Sequence, residues 1–313
     1  MRRQSSSKEL KSAFYIIFSL EQKNLTEDIL KYDFKEGLPQ EFEILQMKQL
    51  YAEFKAEITV AHRAEFYQVL WFQKGGSVHY VDFKPIVIEP NTVVLVNKNS
   101  VQQFDRKVPM EGKVILFTDH FFCKEASDVR FLKSSILFND LFETPHIVIP
   151  NISSIFSELI TALETEIEQQ KDEYQADVLR NYLRNFLLLL ERERRNQDFT
   201  EIKKGPDLDY IMIFKELLEH QFHHNKQVNS YATQMYITKK RLNLATSKVL
   251  GLTPKKIIDD RIMLEAKRLL AHSTTSVKEI SFALGFEEPT NFVKYFRKNH
   301  LSTPLEFRDS FLS

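Results

Sequence analysis

The chain is short of the residues that build covalent or membrane-anchored scaffolds. Its 313 residues include one cysteine, Cys123, and one tryptophan, Trp71. A single cysteine excludes an intramolecular disulfide and suits a reducing compartment, so a cytoplasmic protein is expected. The apolar run from Ala13 to Leu20 is too short to span a bilayer, and no small-residue cleavage site follows it. Neither a membrane span nor a signal peptide is therefore expected. Net charge is also lacking, with 43 Lys+Arg against 43 Asp+Glu.

That neutrality hides an asymmetry. Between Lys226 and His300 there are 14 Lys+Arg against 6 Asp+Glu, a net +8, and the rest of the chain carries −8. A basic block on a neutral chain suits an anionic partner for that block alone. A solvated basic face explains the charge equally well until it falls on a motif.

With 43% hydrophobic and 27% charged residues, the composition is that of a globular protein with room for two or three domains. From about Tyr32 to Phe117 the texture is β-like. Short apolar runs such as Phe42–Leu45, Phe66–Phe72, Val78–Val81 and Thr92–Val96 are punctuated by Gly75-Gly76, Glu89-Pro90-Asn91 and Asn97–Asn99. Strands at this spacing predict a sandwich or small barrel. Beyond Pro150 the apolar period becomes helical and predicts helices over about 151–170 and 174–195. Phe186–Leu190 is apolar all round, so that helix is covered on more than one side, either by the β-domain or by a second copy. Asn196 to Gly205-Pro206 reads as a linker.

From Pro206 the punctuation predicts seven helices: 208–222, 229–236, 238–249, 254–271, 277–284, 289–299 and 304–311. Gly251 fits a left-handed C′ residue, and Thr253-Pro254 fits a cap and first turn. Ser276–Glu279 and Thr303–Glu306 fit capping boxes. Two of the turns have helix–turn–helix form. In the second, small Ser281 precedes Gly285 by four residues. In the first, Ala232 takes the small position and Tyr236 stands where glycine would help.

The helices that follow these turns divide by face. Leu242, Ala245 and Val249, and Phe292, Tyr295 and Phe296, form core stripes. Lys239, Lys240 and Asn243, and Thr290, Asn291 and Lys294, form polar stripes near helix N-termini, where base edges are read. Arg241, Arg297 and Lys298 suit phosphates. The helix between them, about eighteen residues or roughly 27 Å long, matches the return of the major groove every 34 Å or so.

These motifs resemble the AraC/XylS transcriptional regulators over about residues 228–310. The resemblance includes Ile262–Leu270, Ile280–Phe286, Phe292–Arg297 and Thr303–Arg308. It implies base contacts at Lys240, Asn243 and Leu244 and at Thr290, Asn291, Val293 and Lys294. Leu244 departs from the polar residue usual there, so the second unit is expected to discriminate sequence more strongly.

The β-rich segment resembles the cupin-like sensor domain of such regulators, through His62–Phe72, Gly75-Gly76, His79 and Ile88–Asn91. Metal cupins use a His-x-His pair, a Glu and a later His. Here Ala64 follows His62 at the second position, and Val101–Phe104 stands where the later His belongs, so neither metal nor cofactor is expected. His62, Tyr67, Trp71 and His79 are candidates for lining an effector pocket, or else are core and surface residues of the strands. Cys123 reads as a packed side chain, and His220, His223 and His224 as charges suited to a helix C-terminus.

The expected architecture is α+β. A cupin-like β-barrel or sandwich occupies 1–150, a helical dimerisation segment and linker 151–205, and an all-α double helix–turn–helix domain 206–313. The expected protein is a homodimeric transcriptional regulator without catalytic residues. Its partners would be double-stranded DNA, a small-molecule effector and RNA polymerase. A metal-free cupin enzyme, or a pure assembly domain, fused to the DNA-binding block is the alternative.

Overall fold

The structure, a computed structural model, describes residues 29–32, 41–138, 146–149, 154–197 and 205–312. The run Ala13–Leu20 and most of the expected linker lie outside the described residues. The chain divides into two compact units, one holding Leu30–Thr200 and the other Glu201–Ser313.

The first unit contains two five-stranded sheets. One has the order β1 (Leu30–Tyr32), β3 (His62–Ala64), β8 (Val101–Gln103), β5 (Ser77–Val81) and β6 (Lys84–Ile88). The other has the order β10 (His146–Val148), β7 (Thr92–Val96), β4 (Tyr67–Phe72), β9 (Gly112–Phe117) and β2 (Phe42–Gln46). All pairings are antiparallel except β1 with β3. A core of Leu45, Ala64, Leu70, Phe72, Val81, Ile86, Val94, Phe104 and Leu116 lies between the sheets.

Central strand β4 is buried at all six positions. Its alternate residues Tyr67, Val69 and Trp71 belong to a second core with Phe156, Ile160, Leu163, Leu183, Phe186 and Leu190. Those six come from helices α4 (Ser154–Glu168) and α5 (Gln175–Asn196). The α5 run Phe186–Leu190 therefore finds its cover on the sheet, with only Leu188 well exposed at 45%.

The β-like reading of 32–117 misses helix α1 (Met47–Ile58). Its buried residues Met47, Leu50, Tyr51 and Ile58 recur at helical spacing, and Thr59 ends it by donating backbone and hydroxyl hydrogen bonds to the Lys55 carbonyl at 3.1 and 2.7 Å. Short helices α2 (Asp119–Phe122) and α3 (Ala126–Ser134) follow β9.

The second unit is helical: α6 (Pro206–Gln221), α7 (Val228–Gln234), α8 (Lys239–Leu250), α9 (Pro254–His272), α10 (Val277–Ala283), α11 (Pro289–His300) and α12 (Pro304–Leu312). One core, including Phe214, Tyr231, Leu242, Ile258, Ile262, Ile280, Phe292 and Phe296, unites them. Both expected capping boxes form. Ser276 Oγ accepts from the Glu279 amide at 3.2 Å while Glu279 accepts from the Ser276 amide at 2.9 Å, and Thr303 and Glu306 reciprocate at 3.2 and 2.7 Å.

Candidate DNA-reading surface

Two turns carry the geometry. After α7, the amides of Met235, Tyr236 and Ile237 donate to the carbonyls of Tyr231, Thr233 and Ala232, each at 3.0 Å. After α10, the amides of Leu284, Gly285 and Phe286 donate to Ile280, Phe282 and Ser281 at 3.0, 2.9 and 2.9 Å. The closing six-to-one bond makes each a Schellman-type helix end. Both turns need a left-handed residue, at Tyr236 (φ 55°) and Gly285 (φ 69°).

Their surroundings explain why only one of them is glycine. A Cβ on Gly285 would stand 1.8 Å from the His223 carbonyl oxygen, which excludes any side chain. Lys226 Nζ also donates to the Gly285 carbonyl at 2.8 Å. His223 Nδ1 meets the Ala283 carbonyl at 3.2 Å, and burial holds the ring's pKa below its usual value. His223 is thus a packed brace on the second turn rather than a charge at the end of a helix. The first turn has open space around it, and Tyr236 is 96% exposed.

Helix α8 starts at Thr238, whose hydroxyl accepts from the Arg241 amide at 3.1 Å. Pro289 opens α11 as its first helical residue, where a missing N–H costs nothing. Leu242, Ala245, Phe292 and Phe296 are fully buried, and Val249 and Tyr295 are half-buried. Lys239, Lys240, Asn243, Leu244, Thr290, Asn291, Lys294, Arg297 and Lys298 are exposed, with Val293 half-buried among them.

Arg241 requires a correction. Expected to contact phosphate, it instead pairs through Nη2 with Asp207 at the start of α6, and its guanidinium lies 4.7 Å from the centre of the Tyr210 ring. Lys248 reaches the other Asp207 oxygen at 2.8 Å. The Lys248 and Arg241 hydrogen bonds hold the Asp207 carboxyl below its usual range. Arg241 fastens α8 to α6, because a planar guanidinium satisfies a carboxylate and a ring face together.

Helix α9 joins the two helix–turn–helix motifs with 19 residues, roughly 28 Å at 1.5 Å per residue. Its buried Arg268 pairs with buried Glu265 at 3.0 Å, and Arg261 links Glu265 to Glu219 at 3.2 and 2.9 Å. The Arg261 guanidinium sits 3.8 Å from the centre of the Phe222 ring. Tyr295 of α11 donates to Asp259 of α9 at 2.6 Å; burial and that carboxylate push the phenol's pKa up. Arg308 donates to the Leu270 and Thr275 carbonyls at 3.1 and 2.6 Å. Sequence reasoning missed these positioning residues. Their only signal was charge at three- and four-residue spacing on an otherwise apolar helix.

In the first unit the four candidate pocket residues are not brought together. His62 and His79 are buried between the sheets, both in ring contact with Phe104. Tyr67 and Trp71 lie on the other face of β4; Tyr67 packs on Phe117 and Phe138, and Trp71 on Phe186. Both faces of β4 are covered, so burial alone did not reveal the division.

His79 Nε2 donates to Gln102 Oε1 at 3.2 Å, and Gln102 Nε2 donates to Gln68 Oε1 at 2.7 Å. Burial pulls the His62 and His79 pKa values down to about 4 and about 3, so both rings are neutral near pH 7. Glu43 pairs with Leu116 in the neighbouring strand, and burial pushes its pKa up to about 7. The cavity beside His62, Phe66, Gln68 and Phe104 offers about 20 Å³ to a water's centre, room for about one water. Among the described residues, no three His, Cys, Asp or Glu side chains are grouped to hold a metal ion. No helix among them is long and apolar enough to cross a membrane.

Two helix–turn–helix turns in one basic helical unit, with lysine and asparagine exposed on the helix after each, define a DNA-binding transcriptional regulator rather than an enzyme. A family model described as "Helix-turn-helix domain" matches residues 231–310. The HTH-type transcriptional activator RhaS of Escherichia coli O1:K1 / APEC is 21% identical over 257 residues, 80% of this chain and 89% of its own. Among solved structures, ToxT from Vibrio cholerae is 14% identical with a TM-score of 0.42, over 86% of this chain and 95% of its own. The DNA-binding domain of AdpA, solved in complex with a target DNA, is 25% identical with a TM-score of 0.30, over 34% of this chain and 94% of its own. The chain is thus similar to helix–turn–helix transcriptional regulators, through the family model at its C-terminal end and through RhaS over most of its length.

Proposed function

We propose that the chain reads one continuous DNA site through two successive major grooves, with α8 in one and α11 in the next. The observation that carries this reading is α9, a braced helix of 19 residues between two turns of the same hydrogen-bond pattern. Lys239, Lys240, Asn243 and Leu244 face the first groove. Thr290, Asn291, Val293 and Lys294 face the second, with Arg297 on phosphate. Leu244 offers a methyl contact where a hydrogen bond would discriminate, so α11 carries more of the specificity. Replacing Lys294 by Ala is expected to cost about 1–3 kcal/mol at one base pair of a selected site. Uniform weakening over all sequences would instead make Lys294 a phosphate contact.

The cupin-like first unit modulates this activity as a sensor. Its buried row of His62, His79, Gln102 and Gln68 supplies polar groups that a small effector could engage, while Tyr67 and Trp71 serve the fold. The outward Ile155, Ile167 and Leu188 support homodimerisation through α4 and α5. RhaS is an activator by name, and contact with RNA polymerase at a promoter follows for this chain by analogy. The partner DNA and the lone unpaired Cys123 suit a cytoplasmic location. Thermal-shift screening of the full chain with small molecules separates a sensor from an assembly domain, since a ligand of the native state raises its apparent stability.

A further inference from the structure

Tyr236 combines three properties that the fold does not explain. It holds a left-handed backbone at φ 55°, a conformation that costs a non-glycine residue about 1 kcal/mol or more. It is 96% exposed. Its side chain has no hydrogen bond, ion pair or ring contact among the described residues, so no side-chain contact there offsets the strain. Glycine would serve the same turn without penalty, as Gly285 does in the second unit.

Its position supplies a partner. Tyr236 lies two residues before Thr238, the cap of α8, and exposed Lys239 and Lys240 follow. The N-terminal residues of a recognition helix approach base edges, so the turn just before it passes the rim of the groove, where phosphates line the strand. The two lysines mark that rim as the anion-facing side. Tyrosine hydroxyls are ordinary donors to DNA phosphate, and the ring adds contact area at little entropic cost.

We propose that Tyr236 is a DNA-backbone contact of the first helix–turn–helix motif, its hydroxyl donating a hydrogen bond to a phosphate beside the groove that α8 enters. This rests on the reading of α8 as a recognition helix. The contact fixes register without reading sequence, which suits the unit with the poorer base-reading face.

The test uses the full chain and a random-sequence duplex about three helical turns long, at low salt, beside thermal unfolding. Tyr236→Gly is expected to bind about fivefold more weakly, the worth of one hydrogen bond, while its unfolding midpoint holds or rises. Tyr236→Phe keeps the wild-type midpoint and shows most of that loss. Wild-type affinity in either Tyr236→Gly or Tyr236→Phe would overturn the proposal. Lys240→Ala is the control: if wild type binds and this variant does not weaken, the reading of α8 fails instead. Absence of binding by wild type would sink the DNA-reading proposal as a whole.

Discussion

The two helix–turn–helix units share one backbone and reverse its residues. In the first, Tyr236 holds the left-handed turn and Gly251 (φ 66°) the end of the recognition helix. In the second, Gly285 holds the turn and Leu301 (φ 63°) the end. The end bonds agree as well, Gly251 donating to Ser247 at 3.1 Å and Leu301 to Arg297 at 2.9 Å. Hydrogen bonding therefore sets the geometry, and crowding decides where glycine is obligatory. Only Gly285 is crowded, because His223 and Lys226 pack the second turn against the end of α6. Each unit also has its own brace: Asp207 holds α8 to α6, and Asp259 holds α11 to α9.

The largest expected effect lies where the two units differ most in crowding. Gly285→Ala forces a Cβ into the His223 carbonyl and should destabilise the helical unit by about 3 kcal/mol or more in chemical denaturation. Gly251→Ala meets no atom within 4 Å and should cost about 1 kcal/mol. Equal losses would mean that crowding is not the distinguishing factor. Next in size is base reading. Asn291→Ala should lose about 1–3 kcal/mol of sequence discrimination and Asn243→Ala less, measured on selected against scrambled duplexes; the reverse order would make the first unit the main reader.

Relief of strain comes third. Leu301 is 92% exposed, and Leu301→Gly should raise stability by about 1 kcal/mol. Salt dependence then separates contact from brace. Arg297→Ala should flatten the slope of log affinity against log salt by about 0.9, while Arg241→Ala lowers the unfolding midpoint and leaves the slope alone. A slope change at Arg241 would restore it to the DNA contacts.

The smallest effect is one of pH. Burial depresses the His223 pKa in the folded state, so the unfolded chain takes the proton first. Stability from this neutral ring is complete above its ordinary pKa near 6.5 and falls away as pH drops below that. The protection factor of the Gly285 amide, the exchange rate corrected for its intrinsic slowing with acid, should fall between pH 7.5 and 5.5, with that of Tyr236 unaffected. Parallel loss of protection in both turns would remove His223 as the cause.

Much of the helical unit was legible because its signals are local. Capping boxes, Thr253-Pro254 at a first turn and apolar residues at helical spacing each act within one helical turn, so the helix boundaries followed closely. Tyr236 stood out for the same reason, since a left-handed position is written in the turn itself. Arg241 misled because its partner Asp207 is 34 residues away, and nothing in the local pattern tells a basic residue aimed at phosphate from one aimed at a carboxylate. The candidate pocket failed on a different point. Period-two alternation puts Tyr67 and Trp71 on one face of β4, but both faces are buried and only the tertiary arrangement tells sheet from helix cover. Helix α1 was absorbed into a β-like stretch because its apolar spacing was read within a run of strands.

The account stands on two recognition helices held at one groove repeat, and the pattern of bases protected by the full chain on its selected sites tests it most directly. Two protected blocks on the same face of the duplex, centred about 10 base pairs apart, with an insertion of about half a turn between them abolishing binding, is the predicted result. A single short block, or two blocks whose spacing tolerates that insertion, would contradict it.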